Sequence, residues 1–216
     1  MAKAFNYQRN DYRTAASRAA ANRVVTLCDD ERMKVVSIGG GPFRIHPNII
    51  NLNIGKFANV DIVGDAHRLP FASDSIDAVY CEAVFEHLQD PAVAAAEVRR
   101  VLKSGSVSFI CTPFMQAFHG YPSHFQNFTI RGHERLFERA GLRVLESGTC
   151  VGPAWAVANV VAVFIAQYCP KIIRWPARAA WGAFANLFIR PLDKWLGTRD
   201  DAYVIASTTY VLLLKP

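Results

Sequence analysis

Short apolar runs of strand length recur along the chain, parted by glycine, proline and acidic turns. Val35, Val36 and Ile38 make the first, and it stops at Gly39-Gly40-Gly41-Pro42. Residues 49–54 and 60–63 make the second and third, the third ending at Gly64-Asp65-Ala66. Runs this short, rich in β-branched residues, predict buried strands rather than helices. Residues 76–81 give a fourth strand. Pro91 then opens a segment in which Val93, Val98, Val101 and Leu102 recur at helical spacing, with Arg99 and Arg100 in the last turn and Ser104-Gly105 as its stop. A fifth strand follows at 107–111. Thr129 reads as the N-cap of a helix carrying Leu136, Phe137 and Ala140 on one face and ending at Gly141. Residues 143–148 give a sixth strand, and the runs 203–207 and 209–214 supply the last strand-forming positions. Upstream, residues 10–27 are rich in Ala and Arg and lack Gly and Pro, which predicts a covering helix capped by Asn10 or Asp11.

Strands alternating with helical segments predict a doubly wound α/β domain with a mostly parallel sheet. Ligands of such sheets sit outside the carboxyl ends of the strands, so Gly39, Asn53 and Asp65 at three successive strand ends face one crevice. The missing Cβ atoms of the glycine turn allow a tight bend and let backbone N–H groups approach a ligand closely. After the turn, residues 43–48 contain Pro47 and are too short for a full crossover helix. A dinucleotide site requires Gly-x-Gly-x-x-Gly opening a real helix and an acidic residue about 20 positions on, and neither requirement is met cleanly, which counts against an NAD-linked oxidoreductase.

About 50 residues separate the sixth strand from the last. Residues 147–170 carry no charge, but Gly152, Pro153, Asn159 and Gln167 interrupt the apolar run, which argues against a transmembrane helix. Residues 171–199 mix Lys171, Arg174, Arg178, Arg190, Lys194 and Arg199 with Trp175, Trp181, Trp195 and Phe188, opposed by Asp193. Basic residues with tryptophans on broken amphipathic helices suit an anionic membrane surface, and equally suit a lid or a dimer element. The chain thus divides into an N-terminal helical segment (1–33), a core (34–150), a helical insertion (151–200) and a closing strand segment (201–216).

Composition changes this picture little. Of 216 residues, 51% are hydrophobic and 19% charged, which is the make-up of a folded domain, and the formal net charge is +6. The basic N-terminal helix has no interleaved aromatic residues, so a nucleic-acid arm is disfavoured. The five cysteines are widely spaced and mostly in apolar runs, as buried free thiols of a reducing compartment are. No secretory leader is visible in residues 1–32, so the expected location is the cytoplasm, with a peripheral membrane association through 171–199.

Six segments in order, GGG, LNI, GDAHRLPF, SIDAVYCEAVFEHLQDP, EVRRVLKSG and GHERLFERAGLRV, resemble the class I S-adenosylmethionine-dependent methyltransferases, specifically the type 11 methyltransferase-domain group. The resemblance spans residues 34–145. It implies a Rossmann-like sheet of seven strands with the last antiparallel, and S-adenosyl-L-methionine as cofactor. It also implies that Gly39, Gly40 and Gly41 pass beneath the methionine part of the cofactor. Asn53 and Ile54 would adjoin the ribose, Asp65 and Ala66 the adenine, and Cys81 and Glu82 the methionine side. Two positions depart from the family pattern. Ser37 and Asn53 stand where acidic residues are common, and Asn offers one acceptor oxygen where a carboxylate offers two. The weaker hydrogen bonding costs about 1–2 kcal/mol of cofactor affinity. A non-catalytic or catalytically weak binding module on the same fold is therefore the alternative to an active enzyme.

Methyl transfer from a sulfonium needs a positioned nucleophile and, for some acceptors, a base. The candidates are Glu86 and His87 after the fourth strand and His119 after the fifth, with Tyr121 and His124 nearby, and His119 stands where a base would reach an acceptor hydroxyl. A metal site from His119, His124 and His133 lacks a spacing that fixes its geometry, so no metal is expected. The acceptor is expected to be a small molecule, with a lipid-linked or glycan-type molecule in view because of the insertion.

Overall fold

A computed structural model describes residues 12–120 and 123–216; Asn10, Asp11 and Tyr121 lie outside them. Seven strands form one sheet: β1 (Val35–Ile38), β2 (Ile50–Asn53), β3 (Ile62–Val63), β4 (Ile76–Glu82), β5 (Leu102–Pro113), β6 (Arg143–Val151) and β7 (Thr208–Leu214), in the order β3-β2-β1-β4-β5-β7-β6. The pairs β1–β2, β1–β4, β2–β3 and β4–β5 are parallel, and β7 runs antiparallel between β5 and β6. This is the expected mixed sheet.

The alternation of side chains along each strand divides the core in two. Val36, Ile38, Leu52, Val79 and Cys81 join Ala94, Val98 and Val101 of helix α2 (Pro91–Val101) and Phe137 of helix α3 (Ile130–Arg139) in one apolar layer. On the opposite face Val35, Ala78, Tyr80, Phe109, Tyr210 and Leu212 pack beneath Ala20, Ala21 and Val24 of helix α1 (Ala15–Val25). The side-chain period of 2 thus decides which face each residue serves. No helix joins β1 to β2 or β2 to β3, in keeping with Pro47 and the short connection.

Several expected boundaries shift. Thr14 caps α1, its Oγ1 accepting from Ser17 N–H. Helix α2 runs directly into β5 at Leu102, so Ser104 and Gly105 lie inside the strand rather than ending the helix; Leu102 pairs with Ile76, and Gly105 N–H donates to the Lys215 carbonyl. Residues Ala202–Ile205 form a 3₁₀ turn and not a strand, with β7 starting only at Thr208. Helix α3 begins at the expected cap, where Thr129 Oγ1 accepts from Gly132 N–H at 3.1 Å.

The insertion between β6 and β7 contains helices α4 (Pro153–Tyr168), α5 (Lys171–Phe184) and α6 (Asp193–Leu196), with a π-helical turn at Ala185–Ile189. Gly152 cannot cap α4, and Asp193 from α6 does so instead: its carboxylate accepts from the N–H groups of Ala154 and Trp155, both at 2.8 Å. Among the described residues, no helix is long and apolar enough to cross a membrane. Helix α5 buries no residue.

Candidate functional site

A cavity of about 810 Å³ opens at the carboxyl ends of β1, β2, β3 and β4. Its floor is backbone. Gly39 has φ +79, and a Cβ there would lie 2.1 Å from Val84 Cγ2. Gly41, at φ +58, meets nothing within 4 Å. The loop that replaces a crossover helix is held by polar side chains from β2 and its flanks. Asn51 is fully buried, and its amide nitrogen reaches the carbonyls of Gly41, Phe43 and Asn59 at 3.1, 3.3 and 2.8 Å. Arg44 bonds the Ile49 carbonyl and the Asp61 carboxylate, both at 2.6 Å, while the other Asp61 oxygen accepts from Asn51 N–H. The Arg44 guanidinium holds the Asp61 carboxyl below the usual carboxylate range, against a smaller upward pull from burial.

The walls are Asn53, Ile54 and Phe57 after β2, Gly64, Asp65, Ala66 and His67 after β3, and Ala83, Val84, His87 and Leu88 after β4. Asn53 is buried, and its Oδ1 accepts from Gly55 N–H at 3.0 Å. Asp65 Oδ1 accepts from His67 N–H at 2.9 Å and lies 2.7 Å from His67 Nδ1. His67 Nε2 in turn accepts from Asp90 N–H at 3.3 Å, and Asp90 caps α2. These bonds require the Nδ1–H tautomer of His67 and tie the end of β3 to the start of α2. Partial burial pulls the Asp65 carboxyl upward, but the His67 backbone and ring bonds outweigh it and leave it below its ordinary value. Ala83 holds φ +52, a strained backbone for a residue with a Cβ, directly at the cavity wall.

Seen against the sequence expectations, Gly39, Gly41, Asn53, Ile54, Asp65 and Ala66 line the cavity, and Gly40, Cys81 and Glu82 do not. Gly40 backs onto Asn51, whose Oδ1 would sit 2.4 Å from an added Cβ. Strand alternation disposes of the other two. Cys81 points into the fully buried α2 layer, and Glu82 shares the face of Tyr80, where Arg13 Nη1 lies 3.1 Å from both Tyr80 Oη and Glu82 Oε1. Burial pushes the Cys81 thiol well up, aided by Glu86 and Glu82, so it remains a packing thiol.

The acceptor-side candidates also separate. His87 lines the cavity, as do Ser123 and Phe125. Glu86 stands behind His87, its side chain 0% exposed and its Oε1 3.5 Å from His87 Nε2. His119 Nε2 is 3.9 Å from the same oxygen, but His119 belongs to the rim outside the cavity. The Glu86 carboxylate raises the His119 pKa above its ordinary value, against a lowering by partial burial. His133 is elsewhere. It is fully buried on α3 with Nδ1 3.3 Å from the hydroxyls of Thr112 and Thr209, so a His119–His124–His133 cluster is not assembled. Phe57, Val84, Leu88, Gln89, Asp90 and Phe125 were not foreseen as lining residues. Val84 follows a predicted strand end and was open to inference; Phe57 reaches the cavity only because the loop after β2 folds back.

Residues 44–110 match the family described as "Methyltransferase domain". The chain is 49% identical over 43 residues to an uncharacterised 37.1 kDa protein in transposon TN4556 of Streptomyces fradiae, and 44% identical over 59 residues to an uncharacterised chloroplastic methyltransferase of Arabidopsis thaliana. These stretches cover 20% and 27% of this chain and only 12% and 16% of those proteins. Among solved structures, a putative sarcosine dimethylglycine methyltransferase from Galdieria sulphuraria superimposes with TM-score 0.56 at 14% identity, over 93% of this chain and 85% of that one. The [4+2]-cyclase SpnF does so with TM-score 0.54 at 16% identity, over 96% and 86%. The protein therefore has the class I methyltransferase fold, the fold of S-adenosylmethionine-dependent methyltransferases. It carries a methyltransferase-domain segment that runs from the loop before β2 into β5.

Proposed function

We propose that the protein transfers a methyl group from S-adenosyl-L-methionine to a small acceptor held beside His87. The observation that carries this reading is the cavity itself, with glycine backbone on one side and the Asn53 and Asp65 side chains at the next two strand ends. Gly39 and Gly41 would lie beneath the methionine part of the cofactor, Asn53 and Ile54 beside the ribose, and Asp65 and Ala66 at the adenine. Asp65 Oδ2 makes no hydrogen bond among the described residues and is available to an amine. The cofactor when bound supplies an electrophilic methyl group; the chain supplies position, exclusion of water and the acceptor-side groups His87 and Glu86, with His119 at the rim. The fold alone does not fix the reaction, since a [4+2]-cyclase shares it.

Asn53 tests the ribose assignment and the weak-binder alternative together. Its one acceptor oxygen already takes the Gly55 N–H bond and keeps a single lone pair for a ligand, beside two amide donors. Asn53→Asp keeps the Gly55 bond on one oxygen and offers the second to the ribose hydroxyls. Calorimetric titration is expected to show about 10-fold tighter cofactor binding in this variant, corresponding to about 1–2 kcal/mol for a charge-assisted bond. An unchanged or weaker affinity removes Asn53 from the ribose.

The insertion favours an acceptor or partner at an anionic membrane, a lipid-linked or glycan-type molecule included. Ile172, Trp175, Leu187 and Trp195 are 88%, 79%, 68% and 62% exposed, beside Lys171, Arg178 and Lys194. Trp181, in contrast, packs within the insertion and donates its Nε1–H to the Ala158 carbonyl at 2.9 Å. Each basic residue near an anionic surface contributes about 1 kcal/mol, and inserted aromatic rings add an apolar share that salt does not screen. The protein is expected to float with anionic liposomes and not with neutral ones, and Trp175→Ala with Trp195→Ala to reduce flotation at unchanged cofactor affinity. Equal behaviour with both liposome types, or a wild-type dimer that covers these tryptophans, overturns the membrane assignment.

A further inference from the structure

Glu86 is the one carboxylate among the described residues that is wholly buried with neither oxygen hydrogen-bonded. A buried carboxylate without a hydrogen bond is costly, and a residue placed this way calls for a cation. Two imidazoles converge on it. His87 Nδ1–H donates to the Ser123 carbonyl at 2.5 Å and His119 Nδ1–H to the Ala117 carbonyl at 3.1 Å. In each ring the backbone bond fixes the tautomer and leaves the Nε2 lone pair facing Glu86, at 3.5 and 3.9 Å from Oε1. A backbone carbonyl on the far ring nitrogen is how metal-binding histidines are commonly oriented. The ligand atoms of Glu86, His87 and His119 lie within 4.8 Å of one another. His124 is excluded as a further ligand, because its Nδ1 accepts from His119 N–H and its Nε2 bonds Asn127 Oδ1 at 2.7 Å. It acts as a brace for the loop that carries His119.

We propose that Glu86 Oε1, His87 Nε2 and His119 Nε2 form a binding site for one divalent transition-metal cation at the acceptor end of the cavity. Two nitrogens and one carboxylate suit a zinc-like or manganese-like ion, and three protein ligands leave positions open. Bonds of about 2.0–2.2 Å require the three atoms to draw together, which the rim position of His119 permits. Of the three ligands His87 also lines the cavity, so the cation would adjoin the acceptor space across that imidazole. This assignment shares the acceptor-side residues of the proposed function but not its cofactor site, and each is tested without the other's ligand.

The test is titration of the untagged, chelator-treated protein with Co²⁺ alone, read by visible absorption and calorimetry, and repeated with Zn²⁺. One cation per chain is expected, with a tetrahedral or five-coordinate cobalt spectrum and a metal-dependent rise in Tm. Glu86→Gln, His87→Ala and His119→Ala are each expected to weaken binding by 10-fold or more, while His46→Ala, remote from the cluster, leaves it unchanged. His119 is on an exposed rim, so its variant keeps the fold if Glu86→Gln does not. Wild-type protein that binds no Co²⁺ or Zn²⁺, or binding that survives His119→Ala undiminished, overturns the site; in either case cofactor titration without metal still reports on the methyltransferase assignment.

Discussion

Gly39→Val is expected to lower affinity for S-adenosyl-L-methionine by about 100-fold or more. Two costs combine. A β-branched residue at φ +79 adopts a left-handed conformation that disfavours any side chain, at about 1–2 kcal/mol. Its Cβ would also stand 2.1 Å from Val84 Cγ2, so the glycine turn or the wall after β4 must shift, and such overpacking costs typically about 1–3 kcal/mol. Both shifts fall on the surface that the cofactor would lie against, and about 1.4 kcal/mol corresponds to tenfold in affinity. Gly105→Val separates strain from site: Gly105 has φ +80, but an added Cβ meets nothing within 4 Å, and it lies outside the cavity. That variant is expected to lose stability and keep cofactor affinity. Equal affinity of Gly39→Val and wild type, by calorimetry at matched folded fraction, contradicts the placement of the cofactor.

His133 is expected to make the fold acid-labile. Burial without a charge partner lowers its pKa from 6.5 to about 3. The neutral form is therefore the folded form, and the unfolded chain takes up a proton first as pH falls. The stability this group leaves intact above pH 6.5 is lost on acidification, at up to about 1.4 kcal/mol per pH unit until about pH 3. The loss is visible as a falling urea midpoint between pH 6.5 and 4.5. His133→Gln cannot titrate there and is expected to be less stable at pH 7, because the packing and the contacts with Thr112 and Thr209 are disturbed, yet to show a flatter pH dependence. A variant whose slope equals that of wild type assigns the acid lability to other groups.

The sheet was legible because its strands are short apolar runs closed by Gly, Asn and Asp, and the strand-end rule then brought Gly39, Asn53 and Asp65 to one place. The resemblance set Cys81 and Glu82 beside the methionine part of the cofactor, and neither lines the cavity. The pleat sends Cys81 into the α2 layer and Glu82 across the sheet to Arg13. Ser104 and Gly105 misled for a related reason. They are turn residues by type, but β5 runs through them, and the Lys215 carbonyl just beyond β7 accepts from Gly105 N–H. The supports of the glycine loop were invisible in the sequence. Asn51, Arg44 and Asp61 look like ordinary polar residues until the fold brings three loop carbonyls around one amide. The pairing of Glu86 with His119 across 33 positions has no local signal, and only the loop after β5 brings the two together.

Calorimetric titration of the purified chain with S-adenosyl-L-methionine, run beside NAD⁺, tests the central assignment most directly. One cofactor bound per chain, loss of that binding in Gly39→Val and no heat from NAD⁺ are the expected results. Binding of NAD⁺ in place of S-adenosyl-L-methionine, or no binding of either by a folded chain, contradicts the assignment.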